Sequence, residues 1–123
     1  MRTIGFNAQQ CRDAVASYLA EVEELLKLVE EPQSMTPDQV SESQGLLKNL
    51  KSCLKRDSDL RSTSEGDRKM SEVERLHFAP AIHQALVDFH IRTNSKPSRE
   101  WFSALYNMRI TLGHAHAGLQ NIP

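Results

Sequence analysis

Apolar residues in this chain recur at steps of three and four almost everywhere, and that spacing leaves little besides helices for the backbone to adopt. Near the end, Trp101, Leu105, Met108, Leu112, Ala115 and Leu119 follow one another at such steps and draw a single line down a helix, the seam of a bundle. Near the start, Cys11, Ala14, Val15, Tyr18, Leu19, Val22, Leu25, Leu26 and Val29 draw a second line, with Glu21, Glu23, Glu24 and Lys27 on the other side. No stretch alternates with period two for long enough to make a strand.

Stop and start signals divide the pattern into four helices. The first spans about 7–30 and is ended by Pro32, whose ring and missing N–H break a helix interior. The second spans about 37–56: Thr36 is a good N-cap, Pro37 has the φ favoured at the first helical position, and Asp38 complements the dipole. Its stripe is Val40, Leu46, Leu47, Leu50, Cys53 and Leu54. Gly45, inside it, costs about 1 kcal/mol relative to Ala and predicts close approach of a neighbouring helix. Residues 57–69 are polar and small and read as a mobile loop. Ser71 with Glu74 forms a capping box for a third helix over about 71–92, with Val73, Leu76, Ile82, Leu86 and Phe89 inward and a kink expected at Pro80. Ser98 caps a fourth over about 98–117, with Gly118 at C′. At 123 residues the chain is one domain, and four helices with mostly short connections predict an all-α, antiparallel four-helix bundle.

The N-terminus lacks the apolar run of a signal peptide, and nothing approaches the roughly 18 apolar residues of a membrane span, so a cytoplasmic protein with no membrane partner is expected. Two cysteines, Cys11 and Cys53, both on apolar stripes, are expected to be reduced and buried. A formal net charge of −1 argues against nucleic acid as a partner. That total conceals a gradient: residues 1–35 carry 3 basic and 6 acidic groups, residues 36–66 carry 5 of each, and residues 67–123 carry 7 basic and 5 acidic, together with all 5 histidines.

Few residue sets carry chemistry. Arg109 and His114 have the R-x4-H spacing used by all-helical HEPN ribonucleases, where His serves as general base and Arg stabilises a pentacovalent phosphate. In that family the residue after Arg is usually polar; here it is Ile110. His77, His83 and His90 miss the three- or four-residue spacing of helical zinc ligands, and no acidic or thiol partner completes a set, so no metal or other cofactor is expected. His114 and His116 fall about 200° apart on a helix. Lys48, Lys51, Lys55 and Arg56 make a basic edge without interleaved aromatics, which reads as a solvated face. Glu21, Glu23, Glu24, Glu30 and Glu31 make an acidic run that can serve as a landing zone for a basic partner. A small bundle without a catalytic set is expected to bind and not to catalyse.

The succession 43–54 (Ser-Gln-Gly-Leu-Leu-Lys-Asn-Leu-Lys-Ser-Cys-Leu), 73–82 (Val-Glu-Arg-Leu-His-Phe-Ala-Pro-Ala-Ile), 87–89 (Val-Asp-Phe) and 103–109 (Ser-Ala-Leu-Tyr-Asn-Met-Arg), running into Gly118-Leu119, resembles the small helical immunity proteins of bacterial type VI secretion. Members of that family neutralise NAD(P)+ glycohydrolase effectors, and relatives block a (p)ppApp-synthesising effector. The chain departs from them in a longer first helix and in the polar 57–69 segment. The resemblance implies one-to-one binding to a cognate toxin domain and occlusion of its nucleotide pocket, with no chemistry of its own. Because such pockets are lined with basic groups, the expected contact residues are Glu21, Glu24, Glu30 and Glu31, joined by Asp57 and Asp59. The alternatives are a ribonuclease using Arg109 and His114, or a helical adaptor whose exposed face pairs with a second copy.

Overall fold

The computed structural model describes residues 3–4, 6–62, 68–69 and 71–122. Among them four α-helices pack against one another as an all-α bundle: α1 (Ala8–Leu28), α2 (Pro37–Ser62), α3 (Ala79–Asp88) and α4 (Arg99–Gln120). Each helix has two neighbours, in the ring α1–α2–α3–α4–α1. All neighbours run antiparallel, as side-chain contacts at matched heights show. Arg12 near the start of α1 reaches the last carbonyls of α4, Tyr18 meets Asp57 across α1 and α2, Lys51 of α2 lies over the Phe89 ring after α3, and Thr111 of α4 bonds Asp88 of α3.

The core is built from the inward stripes, with one exception: Leu76, expected inward on the third helix, is exposed. Val15, Val22 and Leu25 of α1, Leu47, Leu50 and Leu54 of α2, Phe78 and Ile82 at α3, and Trp101, Leu105, Met108 and Leu112 of α4 are essentially removed from solvent. Each such side chain contributes about 1.5–3 kcal/mol by burial. Local signals fix the entries. Asn7 accepts from the Gln10 N–H at 2.8 Å while the Gln10 side chain accepts from the Asn7 N–H at 2.9 Å, so α1 opens on a reciprocal box. Thr36 and Gln39 do the same for α2. Ser71 and Glu74 form the expected box, at 3.2 and 3.1 Å, and the buried Glu74 carboxylate also accepts the Phe6 N–H at 2.7 Å. One carboxylate thereby ties the chain entering α1 to the chain entering α3.

Several expectations change. The segment 57–62, read as loop, is helical and extends α2 to Ser62; polar residues lie within a few tenths of a kcal/mol of apolar ones in helix propensity, and Asp57 is held against α1. Of the rest of that expected loop, residues 63–67 lie outside the described residues, and Arg68–Lys69 pairs in parallel with Thr3–Ile4, a pairing too short to show as alternation. The third helix breaks where Pro80 predicts: Glu74–Phe78 is a π turn, with the Ala79 N–H donating to the Glu74 carbonyl, and regular helix resumes at Ala79. It stops at Asp88, short of Arg92, because Phe89 and Ile91 are both buried. Residues two apart face one side in an extended chain and opposite sides in a helix.

Ser98 occupies the N-cap position of α4 in extended backbone, but its side chain makes no capping bond. Gly118 is not the C′ residue, since α4 continues to Gln120 with Asn121 as cap, and buried Leu119 keeps the seam going for another turn. The Arg12 guanidinium satisfies the exit, donating to the Leu119 and Ile122 carbonyls at 3.0 and 2.9 Å. Cys11 is fully buried, whereas Cys53 is only half-buried beside the α1–α2 cleft.

Gly45 serves no close approach: it is exposed, and a Cβ there meets nothing within 4 Å. Replacing it by Ala therefore removes only the glycine's helix penalty. Gly45→Ala is expected to raise unfolding stability by roughly 0.5–1 kcal/mol, read as a higher urea midpoint at unchanged slope; a loss of stability would mean that the site is packed.

Candidate binding surface

The acidic residues of α1 fall on two different faces. Glu21 and Glu24, one turn apart, lie about 60° from each other around the helix, on the side away from α4. Glu21 borders a shallow cleft between α1 and α2 with Ser17, Tyr18, Cys53, Arg56 and Asp57. Burial first, and the charge of Glu24 second, push its carboxyl above the usual value. Glu24 is exposed. Glu30 lies beyond the end of α1 and turns the other way, lining the groove between α1 and α4. Glu31 is exposed in the connection to α2. Among the described residues none of these four carboxylates forms an ion pair.

Asp57 does not belong with them. It is buried, accepts a hydrogen bond from the Tyr18 phenol, and has the Arg56 Nε 3.6 Å from its other oxygen. Burial, with the hydrogen bond to Asp57 next, drives the Tyr18 phenol well above the ordinary tyrosine value, so it stays a donor. The Asp57 charge in turn raises the Arg56 guanidinium. The carboxylate expected at the contact surface is committed inside the fold, joining α1 to α2. The side chain of Asp59 lies outside the described residues.

Arg109 and His114 are both exposed on α4. Five residues apart on a regular helix, they point about 140° from each other and share no face within one chain. The Arg109 guanidinium lies 4.9 Å from the centroid of the Tyr106 ring, a cation–π contact. His77, His83 and His90 are exposed, and His116 meets Gln120 at 3.1 Å. Among the described residues no group of three or more His, Cys, Asp or Glu is placed to hold a metal ion.

One surface feature escapes the seam reading. Phe102, Tyr106 and Ile110 form a second apolar line on α4, exposed at 39%, 42% and 42%. The two aromatic rings stack with centroids 6.3 Å apart. Their spacing of four was visible, but the stronger line from Trp101 to Leu119 accounts for the helix by itself. Phe102 and Tyr106 of this line, but not Ile110, form one wall of two confluent α1–α4 grooves of about 790 and 400 Å³; Leu26, Glu23, Lys27 and Glu30 stand across from them.

Compared with protein-family models, with curated proteins and with solved structures, the chain matches none. Among the described residues no helix is long and apolar enough to cross a membrane.

The raised Glu21 carboxyl carries a signed consequence. A carboxyl whose folded pKa lies above its unfolded value loses folded-state stability as pH rises through that range, and is neutral in its effect below it. Glu21→Gln is therefore expected to stabilise the protein at pH 7. The gain should vanish as pH falls below the unfolded glutamate value of about 4.3, as measured by urea unfolding at both pH values. An equal gain at low pH would assign it to packing.

Proposed function

We propose that this protein is a binding protein of the immunity type: it seats the acidic outer face of α1 on a basic, nucleotide-using toxin domain and blocks that domain's pocket. The observation that carries the reading is the accumulation of carboxylates at Glu21, Glu24 and Glu31 without a cation paired to any of them among the described residues. Partial burial first, and the charge of Glu24 second, raise the Glu21 carboxyl. An unneutralised acidic face attracts a basic cleft over a distance comparable to the Debye length, about 8 Å at physiological salt, and speeds encounter. The resemblance of the helical sequence pattern to type VI secretion immunity proteins supplies the class of partner, a toxin of the NAD(P)+ glycohydrolase or (p)ppApp synthetase kind, and the compartment, the cytoplasm of the producing cell. Asp57 is not part of this surface, because Tyr18 and Arg56 hold it.

Co-expression with the cognate toxin domain that this reading requires is expected to restore growth to cells making that toxin. The double reversal Glu21→Lys with Glu24→Lys should abolish the rescue and slow association by about tenfold or more at low salt, with helix content unchanged. Undiminished rescue would sink the acidic-face reading. The ribonuclease alternative is decided in parallel: RNA cleavage by the purified chain that disappears in Arg109→Ala and His114→Ala would replace binding by catalysis.

A further inference from the structure

We propose that the α1–α4 groove is the contact by which two copies of this chain pair. Three large apolar side chains on the outer face of α4, Phe102, Tyr106 and Ile110, are each about two-fifths exposed. They make a continuous strip roughly 12 Å long at 1.5 Å per residue. Scattered surface apolar residues are ordinary, but a contiguous strip with its aromatic rings stacked is the mark of a docking face.

The charges around the strip choose the occupant. Beside it stand two acids, Glu23 and Glu30, and three bases, Lys27, Arg99 and Arg109, a mixed set that gives a strongly charged partner of either sign little to read. These charges are also ordered along α4. Glu30 lies at the end of the groove near Pro97, Arg99 and Phe102, whereas Arg109 lies about two turns farther along. Tyr106 is between them.

A two-fold axis passing beside α4 at the level of Tyr106, perpendicular to the helix, sets the two apolar strips against each other antiparallel. It also exchanges the ends, so that Arg109 of each copy meets Glu30 of the other. Symmetric interfaces of this kind use the same patch twice and require it to be self-complementary. This patch meets that requirement with an apolar centre, Glu30 beside Arg99 toward one end and Arg109 toward the other. Arg109 is held in place for that role by its contact with the Tyr106 ring, and among the described residues it has no carboxylate of its own. The face is separate from the Glu21 and Glu24 side of α1, so pairing leaves the proposed toxin face open.

Sedimentation equilibrium of the full chain, from low micromolar to ~100 µM, tests the pairing, since weak symmetric contacts dissociate in that range. A dimer is expected. Tyr106→Glu should render it monomeric, with helix content by circular dichroism unchanged. Arg109→Glu and Glu30→Arg should each weaken it by about tenfold or more, and the two together should recover most of the loss. Glu21→Lys with Glu24→Lys should leave it intact, so failure of pairing and failure of the toxin-face reading are told apart. A wild-type chain that stays monomeric throughout, or a dimer indifferent to Tyr106→Glu, overturns the proposal. Should Tyr106→Glu fail to fold, absence of recovery in the charge-swapped pair overturns it equally.

Discussion

The packing of α1 against α4 is the contact on which the rest of this structure depends. These are two of the three long helices, they come from opposite ends of the chain, and their closure makes a ring of what would otherwise be an open row of four helices. The inward line of α1, from Cys11 to Val29, lies against the seam running from Trp101 to Leu119. Arg12 fastens one end by bonding the carbonyls at the exit of α4. Because the two helices sit so far apart in sequence, this closure carries the largest loop entropy in the fold, and apolar burial is what offsets it.

Once that ring is closed, the polar groups inside it have little freedom. Glu74 is fully buried, and its carboxylate collects the Ser71 and Phe6 N–H groups, so the start of α3 and the chain before α1 are positioned together. Asp57 is buried against Tyr18 and fixes α2 to α1 in the same manner. Such groups are costly when unsatisfied and specific when satisfied, since only one alignment of the helices brings donor and acceptor together. Of the other acids, Glu24, Glu30 and Glu31 are exposed and Glu21 is partly buried at the α1–α2 cleft, so the charge gradient along the chain becomes a property of particular faces. The outer side of α1 is acidic, while the α1–α4 groove is mixed in charge.

The helices were legible wherever apolar spacing or a capping pair marked them. Asn7, Thr36 and Ser71 lie at the N-cap positions of their elements or one residue from them, and Pro32 and Pro80 act at the places where a missing N–H must act. What spacing could not show was the effect of tertiary contact on polar residues. Asp57 reads as a loop carboxylate because its partner, Tyr18, is 39 residues away. The end of α3 was obscured because Phe89 alone continues the helical stripe of Ile82 and Leu86, and only the burial of Ile91 beside it shows that the chain has left the helix. Gly118 sits where a C′ glycine would, yet the burial of Leu119 carries the helix past it. On the surface, the acidic run was visible but its division between two faces was not. The strip of Phe102, Tyr106 and Ile110 was hidden by a longer apolar line on the same helix.

The central claim is that this bundle acts by occupying another protein's nucleotide pocket. Its most direct test is a titration of the chain into the toxin domain that this reading assigns as its partner, following consumption of NAD(P)+ or of the toxin's own nucleotide substrate. Binding of the proposed kind predicts activity that falls in a straight line to zero at one chain per toxin domain, with inhibition weakening as salt is raised. Full toxin activity in the presence of excess chain would contradict it.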